Sequence, residues 1–115
     1  MVGTHWERMA ESFLHQKGLR TLSRNFNCRL GEVDLIMEDG QYLVFTEIRY
    51  RQNPGFGSGA ESVGKTKQGR IIRAAQRFLQ LHQHRAQQPC RFDVLSLGQE
   101  QGELRVNWIR NAFTA

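Results

Sequence analysis

One stretch of the sequence, residues 31–51 (GEVDLIMEDGQYLVFTEIRYR), constrains the fold more than any other. The dipeptide Asp39-Gly40 is a strong signal for a two-residue hairpin turn, because glycine adopts positive φ without strain and aspartate tolerates it. The segments on either side, residues 32–37 and 42–51, are the two predicted strands. The sequence therefore predicts an antiparallel hairpin around which the rest of the chain must pack.

Such a turn sets a register in which Asp34 faces Phe45 and Glu32 faces Glu47. Side chains alternate between the two faces of a strand, so one face is expected to carry four charged residues, Glu32, Asp34, Glu47 and Arg49. Asp34 and Glu47 become diagonal neighbours, about 7–8 Å apart and within reach of a shared ion. Facing carboxylates destabilise a hairpin, and a divalent metal between them would remove the conflict. The alternative is that these acids lie on a solvated face of the sheet.

Length and charge limit the class of protein to which this hairpin belongs. The chain has 115 residues, which predicts one domain, residues 1–115. A domain of this size buries a modest core that is stable without disulfides or structural metals. Its 16 lysines and arginines exceed its 11 acids, and the net charge of +5 favours a polyanionic partner such as nucleic acid. With no apolar run that could span a bilayer and no signal peptide near Met1, we expect a cytoplasmic protein without membrane contact.

Hydrophobic periodicity predicts the remaining elements. Helices are expected from residue 4 or 5 to 17 and from about 65 to 84, because apolar residues recur at helical spacing in both segments. Further strands are expected at residues 19–28, 91–97 and 104–109. A glycine-rich loop, residues 52–64, follows the hairpin, with Phe56 at its tip as a core anchor or a base-stacking residue. The order helix, three strands, helix, two strands predicts an α/β fold with a mixed five-stranded sheet.

Two roles are open to Glu7 in the first predicted helix. Thr4 is a candidate N-cap, and Glu7, three residues later, would complete a capping box. The other role is a place beside the acids of the hairpin.

The second predicted helix carries the strongest positive patch of the sequence. Residues 65–84 contain no acid, whereas exposed helices normally mix charges of both signs. A solvated face is the usual fate of surface lysines and arginines, but a run of one sign suits contacts with phosphate groups. The predicted nucleic-acid-binding residues are Arg51, Lys65, Lys67, Arg70 and Arg73.

An acid on one strand and a Glu-x-basic sequence on the next supply what metal-dependent phosphodiester hydrolysis requires. Asp34 and Glu47 could hold Mg²⁺ or Mn²⁺, since Mg²⁺ prefers hard oxygen ligands and keeps several waters. Such an ion lowers the pKa of a bound water and stabilises charge on the phosphoryl oxygens. Arg49 lies two residues after Glu47, on the same face, and could hold the attacked phosphate.

Several segments together resemble one protein family. GEVDLI, LVFTEIRYR, SVGKTKQGRIIRAAQRFL, RFDVLSL and WIRNAF, in this order and spacing, are similar to the YraN family of uncharacterised bacterial predicted endonucleases, which is related to archaeal Holliday junction resolvases. The opening WERMAESFLHQKGLRTLSRNF is similar too, so the resemblance covers nearly the whole chain. It implies the restriction-endonuclease-like PD-(D/E)XK nuclease fold with a three-layer core, and a metal-dependent endonuclease that acts on DNA, including branched DNA.

The resemblance also implies roles for individual residues. Asp34 and Glu47 would bind the metal, and Arg49 would occupy the basic position of the site. Three further residues would support them: Glu7, Glu32 and Gln68. Because the resolvase relatives act as symmetric dimers, a homodimer is also expected.

Arg49 departs from the wider nuclease fold, which usually has lysine at this position. Arginine stays protonated at neutral pH and cannot shuttle a proton, although it can clamp a phosphate through two parallel hydrogen bonds. This substitution leaves open a second function, a non-catalytic nucleic-acid-binding module that keeps the nuclease fold. A third, a scaffold domain that binds an acidic protein, would leave the clustered acids unexplained.

Overall fold

A computed structural model describes residues 5–51 and 63–115, and for Arg51 only the backbone. The elements follow one another as α1 (His5–Gln16), β1 (Arg20–Cys28), β2 (Gly31–Asp39), β3 (Tyr42–Arg51), α2 (Lys65–Leu81), a short 3₁₀ helix (Gln83–Arg85), β4 (Cys90–Glu100) and β5 (Glu103–Phe113). The strands form one sheet in the order β1-β2-β3-β4-β5, in which β3 and β4 are parallel and the other pairs antiparallel. The predicted α/β fold with a mixed five-stranded sheet is confirmed. Thr4 and the loop tip with Phe56 lie outside the described residues.

The two helices cover opposite faces of the sheet and complete three layers. The apolar stripe of α1 packs on a core that includes Leu35, Val44 and Leu95. The stripe of α2 packs on the other face, on a core built around Ile36, Phe45 and Val94. Parallel pairing of β3 with β4 requires a crossover connection, and α2 provides it. Neither of these two helices in the described part of the chain has the length and apolar character that crossing a membrane demands.

β3 lies at the centre of the sheet, and its residues 43–47 are buried. Phe45 packs in the core on the α2 side, and Val44 packs in the core on the α1 side. Glu47 is still only 4% exposed, and Arg49 follows it at partial exposure. The strand therefore runs from the core into a charged end, as its sequence predicts.

The hairpin between β2 and β3 is present, but its turn differs from the prediction. Asp39 pairs with Tyr42, so the two-residue loop consists of Gly40 and Gln41, and Gly40 has a φ of +60°. Glycine at the first central position is the requirement of a type II′ hairpin turn. Asp39 is held in the strand instead, where its carboxylate accepts a hydrogen bond from Arg91 at 3.0 Å.

The predicted register, with a loop centred on Asp39 and Gly40, is therefore wrong by two residues. Ile36 pairs with Phe45, and the expected pairs Asp34–Phe45 and Glu32–Glu47 do not form. In a regular strand, a shift of two residues leaves each side chain on its original face, because side chains alternate with period two. β2 is not regular at Asp34, since Val33 packs in the core on the α2 side and Leu35 packs in the core on the α1 side. The ladder ends at the pair Leu35–Thr46, and Asp34 and Glu47 are the next residues of the two strands.

β1 changes faces at Asn25, which has a φ of +51°. Arg24 reaches Glu11 of α1, whereas the ring of Phe26 contacts that of Phe78 in α2 edge to face. Residues two apart in a regular strand share a face, so the left-handed backbone at Asn25 accounts for the imperfect apolar alternation in this segment.

The turn between β1 and β2 touches α2 backbone to backbone at Gly31. A Cβ atom on Gly31 would lie 1.8 Å from the carbonyl oxygen of Arg70, a separation that real atoms do not tolerate. Glycine is therefore required here for space, and it fixes the distance between β2 and α2.

Gly31→Ala is expected to push β2 away from α2 and to lower the free energy of unfolding by about 1–3 kcal/mol, the usual cost of overpacking. Gly69→Ala in α2 is the matched control, because its Cβ would meet only the flexible end of Arg73, at 3.3 Å, and alanine favours the helix. Urea denaturation followed by circular dichroism measures both variants. Equal midpoints for the wild type and Gly31→Ala would contradict the packing argument.

Candidate active site at the end of β2 and β3

Asp34 and Glu47 meet where the regular pairing of β2 and β3 ends. The last pair of the ladder is Leu35 with Thr46, and beyond it the amide of Ile48 donates a hydrogen bond to Asp34 Oδ2 at 2.8 Å. A side-chain carboxylate thus serves as acceptor for an amide of the neighbouring strand. This hydrogen bond fixes Asp34 between the two strands and against Glu47.

Glu47 is buried without full compensation of its polar atoms. Its Oε1 atom is buried and receives no hydrogen bond from any residue that the structure describes. Its Oε2 atom lies 3.8 Å from Arg49 Nε and 3.8 Å from Lys67 Nζ. Leaving a buried acceptor unsatisfied costs roughly 1–3 kcal/mol, and more for a charged group. The ionised form of Glu47 therefore requires a hydrogen-bond donor or a cation at Oε1, and the described residues supply neither.

Asp93 of β4 shows how this fold satisfies a buried acid when it serves structure. Its carboxylate is fully buried and accepts hydrogen bonds from Arg91, from the indole of Trp108 and from the amide of Asn111. Both of its oxygens therefore have donors. Asp93 is thus a structural acid whose hydrogen-bond acceptors are satisfied, whereas Glu47 has an acceptor, Oε1, without a donor among the described residues.

The pKa values of Asp34 and Glu47 are both raised. Burial, followed by the negative charge of Asp34, raises the pKa of Glu47 to about 7, against the opposing effect of nearby cations. Burial also raises the pKa of Asp34, and the charge of Glu7 adds to the rise, whereas the Ile48 amide and Lys67 oppose it. In the absence of a cation, the pair therefore holds a proton up to near-neutral pH.

Glu7 reaches Asp34 from α1. Both residues line one cavity of about 280 Å³, whose other lining residues are Arg8, Glu11, Arg24, Asn25 and Leu35. Of the two roles that the sequence leaves open for Glu7, the structure places it beside the acid pair. Its capping partner Thr4 lies outside the described residues.

Glu32 binds two positively charged side chains of α2 next to the acid pair. Its Oε2 accepts a hydrogen bond from Lys67 Nζ at 3.2 Å, and its Oε1 accepts one from Arg70 at 2.5 Å. These hydrogen bonds, that of Arg70 first, lower the pKa of Glu32. Lys67 thereby bridges Glu32 and Glu47 and belongs to the site itself. The sequence predicts Lys67 only as part of the basic patch, because its contact with the strands depends on where the first turn of α2 is placed.

The other predicted residues have separate contacts. Gln68 Nε2 donates to the carbonyl of Val63 at 3.0 Å and so anchors the segment that enters α2. Lys65 is exposed at the first position of α2. Arg73 Nε donates to a carbonyl of the turn between β1 and β2 at 3.2 Å. The side chain of Arg51 lies outside the described part of the chain.

The donor set of the acid pair is of the kind that a hard divalent cation takes. Mg²⁺ is usually held by one or two carboxylates and keeps several waters, and Mn²⁺ suits the same ligands. The unpartnered Glu47 Oε1 supports this fit, because a cation would supply the missing positive partner. Among residues 5–51 and 63–115, no group of three or more His, Cys, Asp and Glu side chains is arranged to hold a metal.

The raised pKa of Glu47 predicts an unusual dependence of stability on pH. An unfolded glutamate ionises near its ordinary pKa of about 4.3, so between that value and about 7 the folded protein binds more protons than the unfolded chain. Stability therefore falls as pH rises through this window. From about pH 5 to about pH 8, the free energy of unfolding of the metal-free protein is expected to fall by about 2–3 kcal/mol.

Urea denaturation in the presence of a chelator, repeated across this pH range, measures the effect. Glu47→Gln should remove most of the decrease. Glu38→Gln is the matched control, because Arg85 lowers the pKa of Glu38 and its titration lies below the window. A Glu47→Gln variant with the pH dependence of the wild type would contradict the assignment.

Comparison with known proteins identifies the family. Residues 6–97 match the model of a family described as "Uncharacterised protein family UPF0102". A UPF0102 protein of Nitrosococcus oceani is 46% identical over 111 residues, which cover 96% of this chain and 90% of the relative. UPF0102 proteins of Stutzerimonas stutzeri and Aeromonas hydrophila are 48% and 44% identical, covering 96% of this chain in each case and 92% and 83% of the relatives. The acid pair and its neighbours all lie within the matched residues, and the chain belongs to the UPF0102 family.

Proposed function

We propose that this protein is a metal-dependent endonuclease that hydrolyses phosphodiester bonds of DNA, with Asp34 and Glu47 as the ligands of Mg²⁺ or Mn²⁺. The supporting observation is the acid pair, in which Glu47 is buried and its Oε1 has no hydrogen-bond donor among the described residues. Buried acids that serve structure alone have their oxygens satisfied, as Asp93 does. The resemblance to predicted nucleases related to Holliday junction resolvases extends the proposal to branched DNA, and to a homodimer in the cytoplasm.

Each residue of the site has a separate chemical role. A bound metal would lower the pKa of a water and neutralise charge on the phosphoryl oxygens. The amide of Ile48 holds Asp34 in place. Arg49 and Lys67, each 3.8 Å from Glu47 Oε2, put two positive charges where a phosphate would approach the acids, and their N–H groups hold its oxygens.

Lys67 supplies from α2 the amine that β3 lacks. The wider nuclease fold places a lysine two residues after the glutamate, and this chain has Arg49 there. Lys67 lies as close to Glu47 as Arg49 does, and Glu32 holds it in position. We assign the basic role to both residues: Arg49 clamps the phosphate with a planar fork, and Lys67 provides a compact point charge.

Metal-dependent cleavage is the direct test of the proposed function. Purified protein is incubated with labelled branched, single-stranded and linear DNA in the presence of Mn²⁺ or a chelator. The wild type should cleave at least one substrate only with the metal, and Asp34→Asn and Glu47→Gln should each reduce the rate by about 100-fold or more, since even residues that support metal ligands contribute 10–100-fold. Glu103→Gln is the matched control, because its carboxylate lies at the exposed turn between β4 and β5.

Each alternative has its own outcome in this assay. Cleavage that persists when Asp34 and Glu47 are both replaced would overturn the assignment of the site. DNA binding with no heat of Mn²⁺ binding in calorimetry and no cleavage would establish the non-catalytic binding module instead.

Lys67→Ala tests the role of the lysine contributed by α2. The turnover number kcat is expected to fall by about 100-fold to 1000-fold, the usual effect of removing one group that stabilises transition-state charge, while Mn²⁺ binding is retained. Lys65→Ala is the control on the same helix, since Lys65 is exposed and should affect KM more than kcat. Equal kcat values for the wild type and Lys67→Ala would show that Arg49 alone serves the reaction.

A further inference from the structure

The arginines of this protein differ in their partners. Most of those described lie within 4.0 Å of a carboxylate: Arg20, Arg24, Arg49, Arg70, Arg85, Arg91 and Arg105. Arg110 lies over the ring of Trp108 instead. Arg29, Arg73 and Arg77 lie that close to no carboxylate in the part of the chain that the structure describes. These three side chains line one groove, which we call the arginine groove.

The arginine groove lies between α2 and the turn that joins β1 to β2. Its volume is about 240 Å³, and its remaining walls are Cys28, Leu30, Gln76 and Gln80. None of these lining residues is acidic, so the groove combines three guanidinium groups with two amides that can donate hydrogen bonds. Such a surface is complementary to an anion with several oxygens, and arginine matches the geometry of phosphate.

Backbone contacts hold the two walls of the groove together. Gly31 lets the β1–β2 turn approach the carbonyl of Arg70 in α2. Arg73 Nε donates to the carbonyl of Leu30 at 3.2 Å, and its guanidinium lies over Gly69, where a Cβ would be 3.3 Å away. Arg77 donates to Gln80 at 3.2 Å. Two of the guanidinium groups are therefore held in position before any ligand arrives, which lowers the entropic cost of binding.

The position of the groove relative to the acid pair suggests what it binds. Lys67 touches Glu47, and Arg73 and Arg77 follow it by six and ten residues along the same helix. At 1.5 Å per residue, Arg73 lies about 9 Å and Arg77 about 15 Å from Lys67 along the helix axis. Phosphates of one DNA strand rise by about 3.4 Å per nucleotide, so this span corresponds to about three or four nucleotides.

We propose that the arginine groove binds the phosphate backbone of a nucleic acid strand on one side of the acid pair. The distance to the cleaved bond rests on the proposed function of that pair, whereas binding in the groove does not. A strand that enters the groove continues along α2 towards Lys67 and Glu47. The groove thus sets the side on which the substrate must extend, by about three or four nucleotides.

Fluorescence anisotropy with a short labelled DNA duplex, in a chelator and without metal, tests the groove. Arg29→Gln/Arg77→Gln removes two exposed side chains and keeps Arg73, which holds the turn. With salt varied from about 50 to about 200 mM, the slope of log Kobs against log salt should become shallower by about 1.8, or 0.9 for each lost phosphate contact. The charge-matched control is Arg105→Gln/Arg110→Gln on β5, at the opposite edge of the sheet from β1.

Three results would overturn the inference. The first is a double variant with the affinity and salt slope of the control. The second is a wild type that does not bind the duplex even at about 50 mM salt. The third is displacement of the duplex by polyglutamate as readily as by unlabelled DNA, which would identify an acidic protein as the partner. If the double variant loses DNA affinity but the wild type neither takes up Mn²⁺ nor cleaves, the groove stands and the proposed nuclease activity fails.

Discussion

Asp34, which is partly buried, and Glu47, which is buried, can lie side by side because a backbone amide of β3 and a lysine of α2 compensate part of their charge. The Ile48 amide binds Asp34, and Lys67 approaches Glu47 from the helix layer. Desolvation of two adjacent carboxylates costs more than these contacts return, so both pKa values are raised. Without a cation, the folded chain keeps a proton in the pair. The pair is therefore stable in the protonated form, and loss of the proton leaves a second negative charge that the nearby cations offset only in part.

The layers of the fold determine which groups reach this pair. β2 and β3 hold the acids at the point where their ladder ends, and each helix brings one charged residue from its own side. Glu7 comes from α1 and adds negative charge at Asp34, while Lys67 comes from α2 and adds positive charge at Glu47. The close approach of Gly31 to the backbone of α2 sets how far the helix stands from the strands. A packing constraint at a single glycine thus controls an electrostatic contact at the site.

The sequence was sufficient to predict the elements, because the apolar spacing that defines them is local. The register of the hairpin was not predictable in the same way, since both candidate turns place Gly40 in a central position. What separates them is a tertiary contact, the hydrogen bond from Arg91 that keeps Asp39 in the strand. The acids were still assigned to the correct strands, because the hairpin itself was predicted, whereas the change of face between Val33 and Leu35 was not. The contact of Lys67 with Glu47 escaped prediction, because it depends on how α2 docks.

The order of charges along α2 lets one helix serve two surfaces. Its first turn carries lysines, Lys67 among them, and no acid, although a cation near the positive end of the helix dipole is unfavourable by roughly 0.3–1 kcal/mol. Glu32 and Glu47 approach the same end from the sheet and offset this cost. Further along, Arg73 and Arg77 face the β1–β2 turn, where the lining residues include no acid. The positive charge of α2 is therefore neutralised in its first turn, where Glu32 and Glu47 approach, and remains without a carboxylate among the described residues at Arg73 and Arg77, where we propose that a polyanion binds. The helix axis would then set the direction in which a bound strand leaves the acid pair.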